Sequence, residues 1–276
     1  MMWMELKNKH ENITSNNKRL SIQFSLDGFS FCIEDIPSNQ IISFTSCEFK
    51  ETKRTPEFLL EEISKAFNEN KGLQADFKEV HVIHQNNLST LVPNTFFDPK
   101  ELESYLKYTI KTLSNDFISY DDLSSLEAKN VYIPFVNINN YLFQNFGSFE
   151  FNHHSTILID KLITLNANSI HSVFYVQVFK SEINIIVIEN GKLLLYNSFE
   201  YQTEEDFIYY ILFVAEQLEM DTDKFQLTFL GNIDKESPFY KITYKYVRHI
   251  DFIKTKSNFF KDSNDFTEHS NYILVS

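Results

Sequence analysis

The stretch RLSIQFSLDGFSFCIEDI, residues 19–36, decides how the first part of the chain is interpreted. Apolar and polar residues alternate on both sides of Asp27-Gly28, which is the pattern of two half-buried strands. The run IISFTSCEFK, residues 41–50, has the same alternation, so three successive antiparallel strands are predicted. Because Asp-Gly favours a type I′ turn, we interpret Asp27-Gly28 as a two-residue hairpin turn in preference to a phosphate-binding loop.

The order of elements in the first part of the chain is repeated in the second. After the three strands, the pattern predicts a helix from Thr55-Pro56, a strand at 79–85 and a helix at 99–110 that Asp98 would cap. Past residue 168, three strands, a helix, a strand, a helix and a strand follow in the same order. We therefore predict a duplicated α/β protein made of two βββαβαβ halves with mixed sheets.

The repeat divides the chain into four predicted parts. They are a flexible N-terminus (1–18), a first half (19–168), a second half (169–254) and a C-terminal tail (255–276). In the second half, Asn190-Gly191 predicts a hairpin, and Thr203 with Asp206 predicts a capping box at the start of a helix.

Composition and charge restrict the possible functions. Of the 276 residues, 43% are hydrophobic, so the chain can bury a sizeable core. The net charge of -13 opposes binding to phosphate backbones, and we expect no nucleic-acid partner. No apolar run reaches the roughly 18 residues of a membrane-spanning helix, so no transmembrane segment is expected. Cys32 and Cys47 lie in strand-like runs, which suits reduced thiols and a cytoplasmic location.

Glycine is scarce, with 5 residues in the whole chain. A loop that wraps a phosphate needs glycine, because backbone amides must approach the anion without an intervening Cβ. The sequence contains neither G-x-x-x-x-G-K-[ST] nor G-x-G-x-x-G. P-loop and Rossmann nucleotide sites are therefore excluded on pattern.

Two stretches of the sequence resemble a known family. KRLSIQFSLDGFSFCIED (18–35) is similar to the opening of an uncharacterised bacterial family, and FQNFGSFEFNHHSTILI (143–159) is similar to its middle. That family, a domain of unknown function, is assigned an actin-like ATPase, ribonuclease H-like duplicated fold, which agrees with the predicted repeat. The resemblance covers most of residues 19–254 and implies a fold without a particular activity.

In the actin-like ATPases that the sequence resembles, ATP binds between the two halves. A turn after the first strand of each half, usually Asp-x-Gly, holds phosphate, and a late Gly-Gly pair holds adenosine. The resemblance places these elements at three positions of this chain. The residues that it implies for a bound nucleotide are Asp27, Gly28, Phe29 and Ser30, then Lys180 and Ser181, then Gly231 and Asn232.

Each of these three positions departs from the family pattern. Asp27-Gly28 lacks the intervening residue, and Phe29 would take space that a phosphate needs. The second turn has no glycine, and Glu182 beside it would repel an anion. Gly231 is a single glycine where the pattern has two. We therefore expect an eroded nucleotide site.

These departures lead to one prediction and one alternative. The prediction is a protein without catalytic residues or a cofactor, which acts as an interaction or scaffold module for another protein. The alternative is a divergent ATP-binding protein or ATPase with ATP and magnesium between the halves. There Asp27 would orient a magnesium-bound water, and Ser30 and Ser181 would contact phosphates.

Other catalytic or metal sites find little support in the sequence. A ribonuclease H-like nuclease would need a carboxylate after the fourth strand, where the chain has His84-Gln85. His81 and His84 lie three apart in a strand, and His153 and His154 are adjacent. Side chains at these spacings in an extended segment point to opposite faces, so we expect neither pair to share a metal ion.

Aromatic residues are concentrated on the helix predicted at 203–219. Phe207, Tyr209, Tyr210 and Phe213 belong to an apolar surface that covers more than half of its circumference. Burial between the layers of the fold is the favoured explanation for this surface. A docking surface for a second protein is the alternative, since protein interfaces are rich in Phe and Tyr.

Overall fold

The structure, a computed structural model, describes residues 2–7, 17–49, 55–255, 259–260, 266–267 and 269–275. The chain forms two compact units, Met1–Leu158 and Ile159–Ser276. Each unit has its own main sheet and its own hydrophobic core.

The first unit combines a large mixed sheet with a small inserted sheet. Its strands are β1 (Met2–Lys7), β2 (Lys18–Ser25), β3 (Gly28–Asp35), β4 (Gln40–Glu48), β5 (Glu79–His84), β6 (Ser89–Pro93), β7 (Ser119–Leu123), β8 (Ala128–Tyr132) and β9 (Glu150–His153). Its helices are α1 (Pro56–Glu69), α2 (Leu102–Leu106), α3 (Val136–Phe146) and α4 (His154–Leu165), which continues into the second unit. The main sheet has the order β1-β4-β3-β2-β5-β9, and the inserted sheet has the order β6-β8-β7.

The second unit has one mixed sheet. Its strands are β10 (Val173–Val178), β11 (Glu182–Glu189), β12 (Lys192–Glu200), β13 (Gln226–Gly231) and β14 (His249–Phe252), and its helices are α5 (Glu204–Gln217), α6 (Pro238–Tyr244) and α7 (Tyr272–Val275). The sheet has the order β12-β11-β10-β13-β14. Its first three strands are antiparallel, whereas β10, β13 and β14 run parallel.

The two main sheets repeat one topology, and the predicted duplicated fold is confirmed. β4, β3 and β2 are antiparallel and β2, β5 and β9 are parallel, in the order found in the second unit. The third strand of each meander carries a register shift, with Ile42 as the extra residue in β4 and Leu194 in β12. β1 and the inserted sheet are additions to the first copy.

Helix α1 shows how local sequence sets an element and its packing. Thr55 Oγ1 accepts a hydrogen bond from the Phe58 amide at 3.3 Å, so the predicted helix start is confirmed. Leu59 and Ile63 are fully buried on the face that packs on the sheet. Spacing of three to four residues places such side chains on one stripe, which is the part of the helix that stabilises the first core.

Both chain termini contain structure that the sequence did not predict. Residues 2–7, expected within a flexible N-terminus, form β1 and pair with residues 43–48 of β4, while 8–16 lie outside the described residues. Within the expected tail, Phe260 and the whole of α7 are buried. The units divide at residue 158, within α4, and not after residue 168 as predicted.

The helix predicted at 99–110 is wrong in length, since α2 spans only Leu102–Leu106. Asp98 does not cap it: its Oδ1 atom accepts from the Lys100 amide at 2.9 Å and closes a tight turn. The Tyr105 hydroxyl donates to the Phe96 carbonyl at 2.7 Å and holds this turn in place. A side-chain bond to nearby backbone therefore replaces the first helical turn.

The two cysteines are buried and are not joined to each other. Burial raises the pKa of both thiols, that of Cys47 to about 12, so neither is activated as a nucleophile. Within the described part of the chain, every helix is too short or too polar to cross a membrane.

Candidate functional site

The first predicted turn differs from its sequence interpretation by one residue. Ser25 pairs with Gly28, so the two-residue loop consists of Leu26 and Asp27, and Gly28 is the first residue of β3. Neither loop residue has the positive φ that a type I′ turn requires. The Asp27 amide donates to Ser25 Oγ at 3.2 Å, and the Asp27 carbonyl accepts from the Phe49 amide at 3.0 Å.

Gly28 is required by the neighbouring strand. A Cβ atom at this position would lie 2.3 Å from the carbonyl oxygen of Cys47 on β4. The backbones of β3 and β4 therefore approach each other more closely than any side chain permits. This glycine is explained by sheet packing, without reference to a ligand.

The next two residues lie on opposite faces of the sheet. Phe29 is only 3% exposed and stacks on Phe31 in the core of the first unit, with ring centroids 6.4 Å apart. The ring of Phe29 therefore points into the core of the first unit. Ser30 Oγ donates to Ser46 Oγ at 3.0 Å across the sheet.

The second predicted turn has the same backbone arrangement as the first. Phe179 donates its amide to the Glu182 carbonyl at 2.9 Å, so Lys180 and Ser181 form a two-residue loop. The Ser181 carbonyl accepts from the Tyr201 amide at 3.0 Å, as the Asp27 carbonyl accepts in the first unit. The Lys180 side chain is exposed and Ser181 is half-buried.

Gly231 ends β13 with a φ of +90°. A Cβ atom there would lie 2.3 Å from the Val178 carbonyl oxygen, so the close passage of β10 excludes a side chain. The Gly231 amide donates to the His269 carbonyl at 2.8 Å, and the Asn232 amide donates to the Val178 carbonyl at 2.7 Å. The structure thus brings Gly231 and Asn232 to the end of β10, beside the Lys180-Ser181 loop.

Among the described residues, the largest group of buried polar side chains lies where β5 and β9 end. His84, His153 and His154 are all fully buried, and His84 pairs with His153 across the two parallel strands. The sequence prediction that His153 and His154 point to opposite faces is wrong. The chain passes from β9 into α4 between them, and their ring centroids lie 4.5 Å apart.

Hydrogen bonds identify the neutral form of the His84 ring. Its Nδ1 atom accepts from the Phe135 amide at 3.3 Å, and its Nε2 atom donates to Asn139 Oδ1 at 3.0 Å. Phe24, Phe135 and Phe151 surround the ring with centroids 5.7 to 5.9 Å away. Burial in this apolar setting lowers the pKa of His84 to about 3.

His153 and His154 converge on one acceptor. The Nε2 atom of each ring lies 3.1 Å from the carbonyl oxygen of Asn86, to which it donates. His153 Nδ1 accepts from the Ser155 hydroxyl at 2.7 Å, which fixes its neutral form. Burial lowers the pKa of His154 to about 4 and that of His153 well below its ordinary value.

Asp121, on β7, joins the inserted sheet to these histidines. Its Oδ2 atom accepts from the His153 amide at 2.8 Å and from Thr156 Oγ1 at 2.7 Å. Its Oδ1 atom accepts from the Tyr132 hydroxyl at 3.0 Å. Burial raises the pKa of Asp121, and the hydrogen bonds act in the opposite direction.

The arrangement of this buried group favours a structural role, in which it holds neighbouring elements of the first unit together, over proton transfer to a substrate. Its titratable side chains are enclosed, and its hydrogen bonds tie β7 and the β5–β6 connection to the start of α4. Sequence reasoning missed it because its partners lie up to 68 residues apart. The run of residues 153–156, His-His-Ser-Thr, was the available signal. Among the described residues, no group of three His, Cys, Asp or Glu could hold a metal ion.

Helix α5 has a buried face and an exposed aromatic face. Phe207 is fully buried in the second core, which agrees with the favoured prediction for this helix. Tyr209 is 57% exposed and Phe213 is 39% exposed, and their rings stack 5.9 Å apart. Tyr210 contacts Tyr209 and stacks on Phe199 of β12 at 4.6 Å. We call Phe199, Tyr210, Tyr209 and Phe213 the aromatic ladder.

Two sheets of one topology, each a meander followed by two crossover strands, define a protein of the actin-like ATPase fold. A protein from Bacteroides thetaiotaomicron VPI-5482 with that fold and unknown function is 25% identical, with a TM-score of 0.78, covering 88% of this chain and 93% of that chain. The chain belongs to the family described as protein of unknown function (DUF3822), which matches residues 7–250.

A more distant structure has the same fold. The PilM-PilN type IV pilus biogenesis complex contains a chain that is 10% identical, with a TM-score of 0.56, covering 93% of this chain and 96% of that chain. No protein of curated function matches the sequence.

Proposed function

We propose that this protein is a non-catalytic member of the actin-like fold that acts in the cytoplasm by binding another protein. The observation that carries the proposal is the use of backbone amides at the turns where a nucleotide would lie. The Asp27 amide donates to Ser25 Oγ, and the Gly231 amide donates to the His269 carbonyl. An amide that is used within the protein does not face a phosphate, so these turns are poor anion sites.

The protein-binding part of the proposal is supported by the surface of α5. The exposed rings of Tyr209 and Phe213 lie outside the second core, whereas Phe199 and Tyr210 pack against it and support them from below. Aromatic residues are enriched at the centres of protein interfaces, where their large rings exclude water. The aromatic ladder is therefore the surface that we assign to a partner protein.

Isothermal titration calorimetry of the full-length protein with ATP and magnesium tests the absence of a nucleotide site. We expect no heat of binding, and no rise in Tm on adding ATP to the wild type or to Asp27→Ala. The alternative, a divergent ATP-binding protein, predicts micromolar binding that Asp27→Ala abolishes. That result would overturn the proposal.

A further inference from the structure

The segment that contains α6 is basic, although the chain as a whole is acidic. The net charge of the protein is -13, yet residues 235–254 contain more cations than anions. The cations are Lys235, Lys241, Lys245, Arg248 and Lys254, and the anions are Glu236 and Asp251. This part of the second unit therefore has a local charge of the opposite sign to that of the molecule.

Helix spacing brings exposed residues of this segment together. Side chains three and four positions apart lie on one face of a helix. The helical bonding continues past the end of α6, since the Val247 amide donates to the Thr243 carbonyl at 2.9 Å. Four exposed residues lie along this face and the turn that follows it, and we call them the α6 patch: Lys241, Tyr244, Lys245 and Arg248.

The backbone beneath the patch is fixed at both ends. Ser237 Oγ accepts from the Phe239 amide at 3.2 Å and caps the start of α6. At the other end, Val247 is buried in the second core, and the Arg248 amide donates to the Thr222 carbonyl at 3.1 Å. A ligand that binds here meets a preformed surface, which lowers the entropic cost of binding.

The Tyr244 ring is supported from below and open to solvent. It stacks on Tyr240 with ring centroids 6.1 Å apart, and Tyr240 stacks on Phe252 at 5.6 Å. Tyr240 also contacts the fully buried Phe229 at 6.1 Å. Tyr244 nevertheless remains 64% exposed. A positioned and exposed tyrosine ring is typical of the centre of a protein interface.

The cations of the patch are available to a partner. Lys241 forms an ion pair with Glu236 at 2.9 Å, and both of these side chains are more than half exposed. Neither Asp251 nor any other carboxylate that the structure describes forms an ion pair with Lys245 or Arg248. An ammonium group and a guanidinium group beside an exposed ring favour carboxylates in the partner.

Acidic residues close to the patch interact with another group. Thr222, whose carbonyl accepts from the Arg248 amide, lies between Asp221 and Asp223 in the sequence. Asp221 forms an ion pair with Lys224 at 2.9 Å, and the two carboxylates together raise the pKa of that lysine. Their negative charge is therefore directed mainly to Lys224, and the patch keeps its positive charge.

The charge of the whole molecule indicates which acidic surface fits the patch. An acidic segment of a protein can contact the patch alone. An anionic membrane is broad and would also face the acidic remainder of the molecule. A second copy of this chain would bring its own net charge of -13 to the contact. A short acidic segment is the occupant that the charges favour.

We propose that the α6 patch binds a short acidic segment of a partner protein, in which aspartate or glutamate pairs with Lys245 and Arg248 and an apolar or aromatic residue packs on the Tyr244 ring. This site goes beyond the surface assigned above. The aromatic ladder adjoins β12, whereas α6 packs on Phe252 of β14, at the opposite edge of the sheet. The protein thus has a second binding surface with a partner of stated charge.

Selection from displayed libraries tests the partner's chemistry on the full-length protein. One library holds peptides of about ten residues with about three aspartates or glutamates, and the other has lysine or arginine in their place. We expect enrichment from the acidic library alone, with an apolar or aromatic residue near the acidic ones. Fluorescence anisotropy then gives the Kd of an enriched peptide, which should rise as salt is added because the ion pairs are exposed.

Charge reversal locates the binding. Lys245→Glu combined with Arg248→Glu should weaken peptide binding at least about tenfold and leave Tm unchanged. Lys180→Glu combined with Lys192→Glu changes the net charge by the same amount at two exposed lysines outside the patch. This matched control should bind the peptide as the wild type does.

Variants of Tyr244 test the aromatic part of the site. Tyr244→Ser removes the exposed ring and should weaken binding about fivefold. Tyr244→Phe keeps the ring and should keep the affinity. Because the residue is largely exposed, both variants should fold, and their Tm values check this.

Four results would overturn the proposal. Equal enrichment from the two libraries would reject an acidic partner, and equal loss of binding in the two charge-reversal variants would reject the site. Retention on vesicles of phosphatidylcholine and phosphatidylserine that Lys245→Glu with Arg248→Glu abolishes would make a membrane the occupant. A dimer in light scattering that the same variant dissociates would make a second copy the occupant.

A further variant separates this proposal from the proposed function. Tyr209→Ser combined with Phe213→Ser alters the aromatic ladder and should leave binding of the acidic peptide unchanged. If this variant abolishes binding and the charge reversal on α6 does not, the α6 patch is rejected, while the protein-binding function of the ladder stands.

Discussion

At the residue scale, two similar dipeptides show what a local pattern can decide. Asn190 and Gly191 have φ values of 51° and 71°, as the predicted hairpin turn requires. The pattern of Asp27-Gly28 predicts the same turn, yet the loop is Leu26-Asp27, and glycine is required at position 28 by the close approach of β4. Asn190-Gly191 forms its turn because both residues adopt the positive φ angles that the turn requires. Gly28 is instead required by a contact with β4, a strand that lies further along the sequence.

Replacing Gly28 by alanine should therefore destabilise the fold. The added Cβ meets the Cys47 carbonyl oxygen at 2.3 Å, which is backbone and cannot rotate away. We expect a loss of about 1–3 kcal/mol in the free energy of unfolding, measured by urea denaturation. Gly72→Ala is the control, because its nearest atom is a side-chain oxygen, Asn70 Oδ1, at 3.0 Å. Equal effects of the two variants would contradict this account.

The buried histidines should make stability depend on pH. His84 is neutral in the folded protein with a pKa of about 3, but it takes up a proton near its ordinary value of 6.5 when the chain unfolds. The unfolded state then binds more protons, so stability is fully present above pH 6.5 and falls as the pH drops towards 3. His153 and His154 act with the same sign. The raised pKa of Asp121 has the opposite effect. As the pH rises through and above the ordinary pKa of this carboxyl group, its contribution to stability is lost.

His84→Gln isolates the contribution of one ring. Between about pH 4 and 6, the slope of unfolding free energy against pH should decrease by about 1.4 kcal/mol per pH unit relative to the wild type. The slope is obtained from urea denaturation at a series of pH values. An unaltered slope in His84→Gln would show that this ring does not remain neutral.

At the element scale, helix starts were predictable because their signals are local. Thr203 Oγ1 accepts from the Asp206 amide at 3.1 Å, and Asp206 Oδ2 accepts from the Thr203 amide at 3.1 Å, which confirms the predicted capping box of α5. The extent of α2 was not predictable, because Tyr105 bonds to backbone before the helix. β1 was missed because its pairing strand lies some forty residues further along the chain.

Removing the cap of α5 should weaken the second unit. Thr203→Ala deletes the acceptor for the Asp206 amide and should lower the free energy of unfolding by about 1 kcal/mol. Thr203→Ser keeps a hydroxyl at the same position and should restore most of that loss. Thermal unfolding followed by circular dichroism compares the three proteins. A serine variant as unstable as the alanine variant would show that the hydroxyl is not what matters.

At the scale of the whole molecule, the duplication both identifies the fold and shows where the two copies differ. The same sheet order in both units, together with the family match over residues 7–250, establishes the actin-like fold. The copies differ at the first turn of each unit, since Gly28 in one corresponds to Glu182 in the other. This difference supports our proposal that the protein is non-catalytic.

The acidic surface predicts behaviour towards nucleic acids. With a net charge of -13, the protein lacks the excess of cations that releases counterions from a phosphate backbone. We expect no mobility shift of duplex DNA or single-stranded RNA at low salt. Retention that decreases steeply as salt is added would contradict this prediction.

The sequence by itself determined the alternating strands, the helix caps, the repeat and the charge, because each depends on residues that are close along the chain. Only the tertiary structure decided why position 28 is glycine, that β1 completes one sheet edge, and that His153 and His154 share one buried acceptor. These features depend on contacts between distant residues, and hydrophobic periodicity carries no information about which distant surfaces meet.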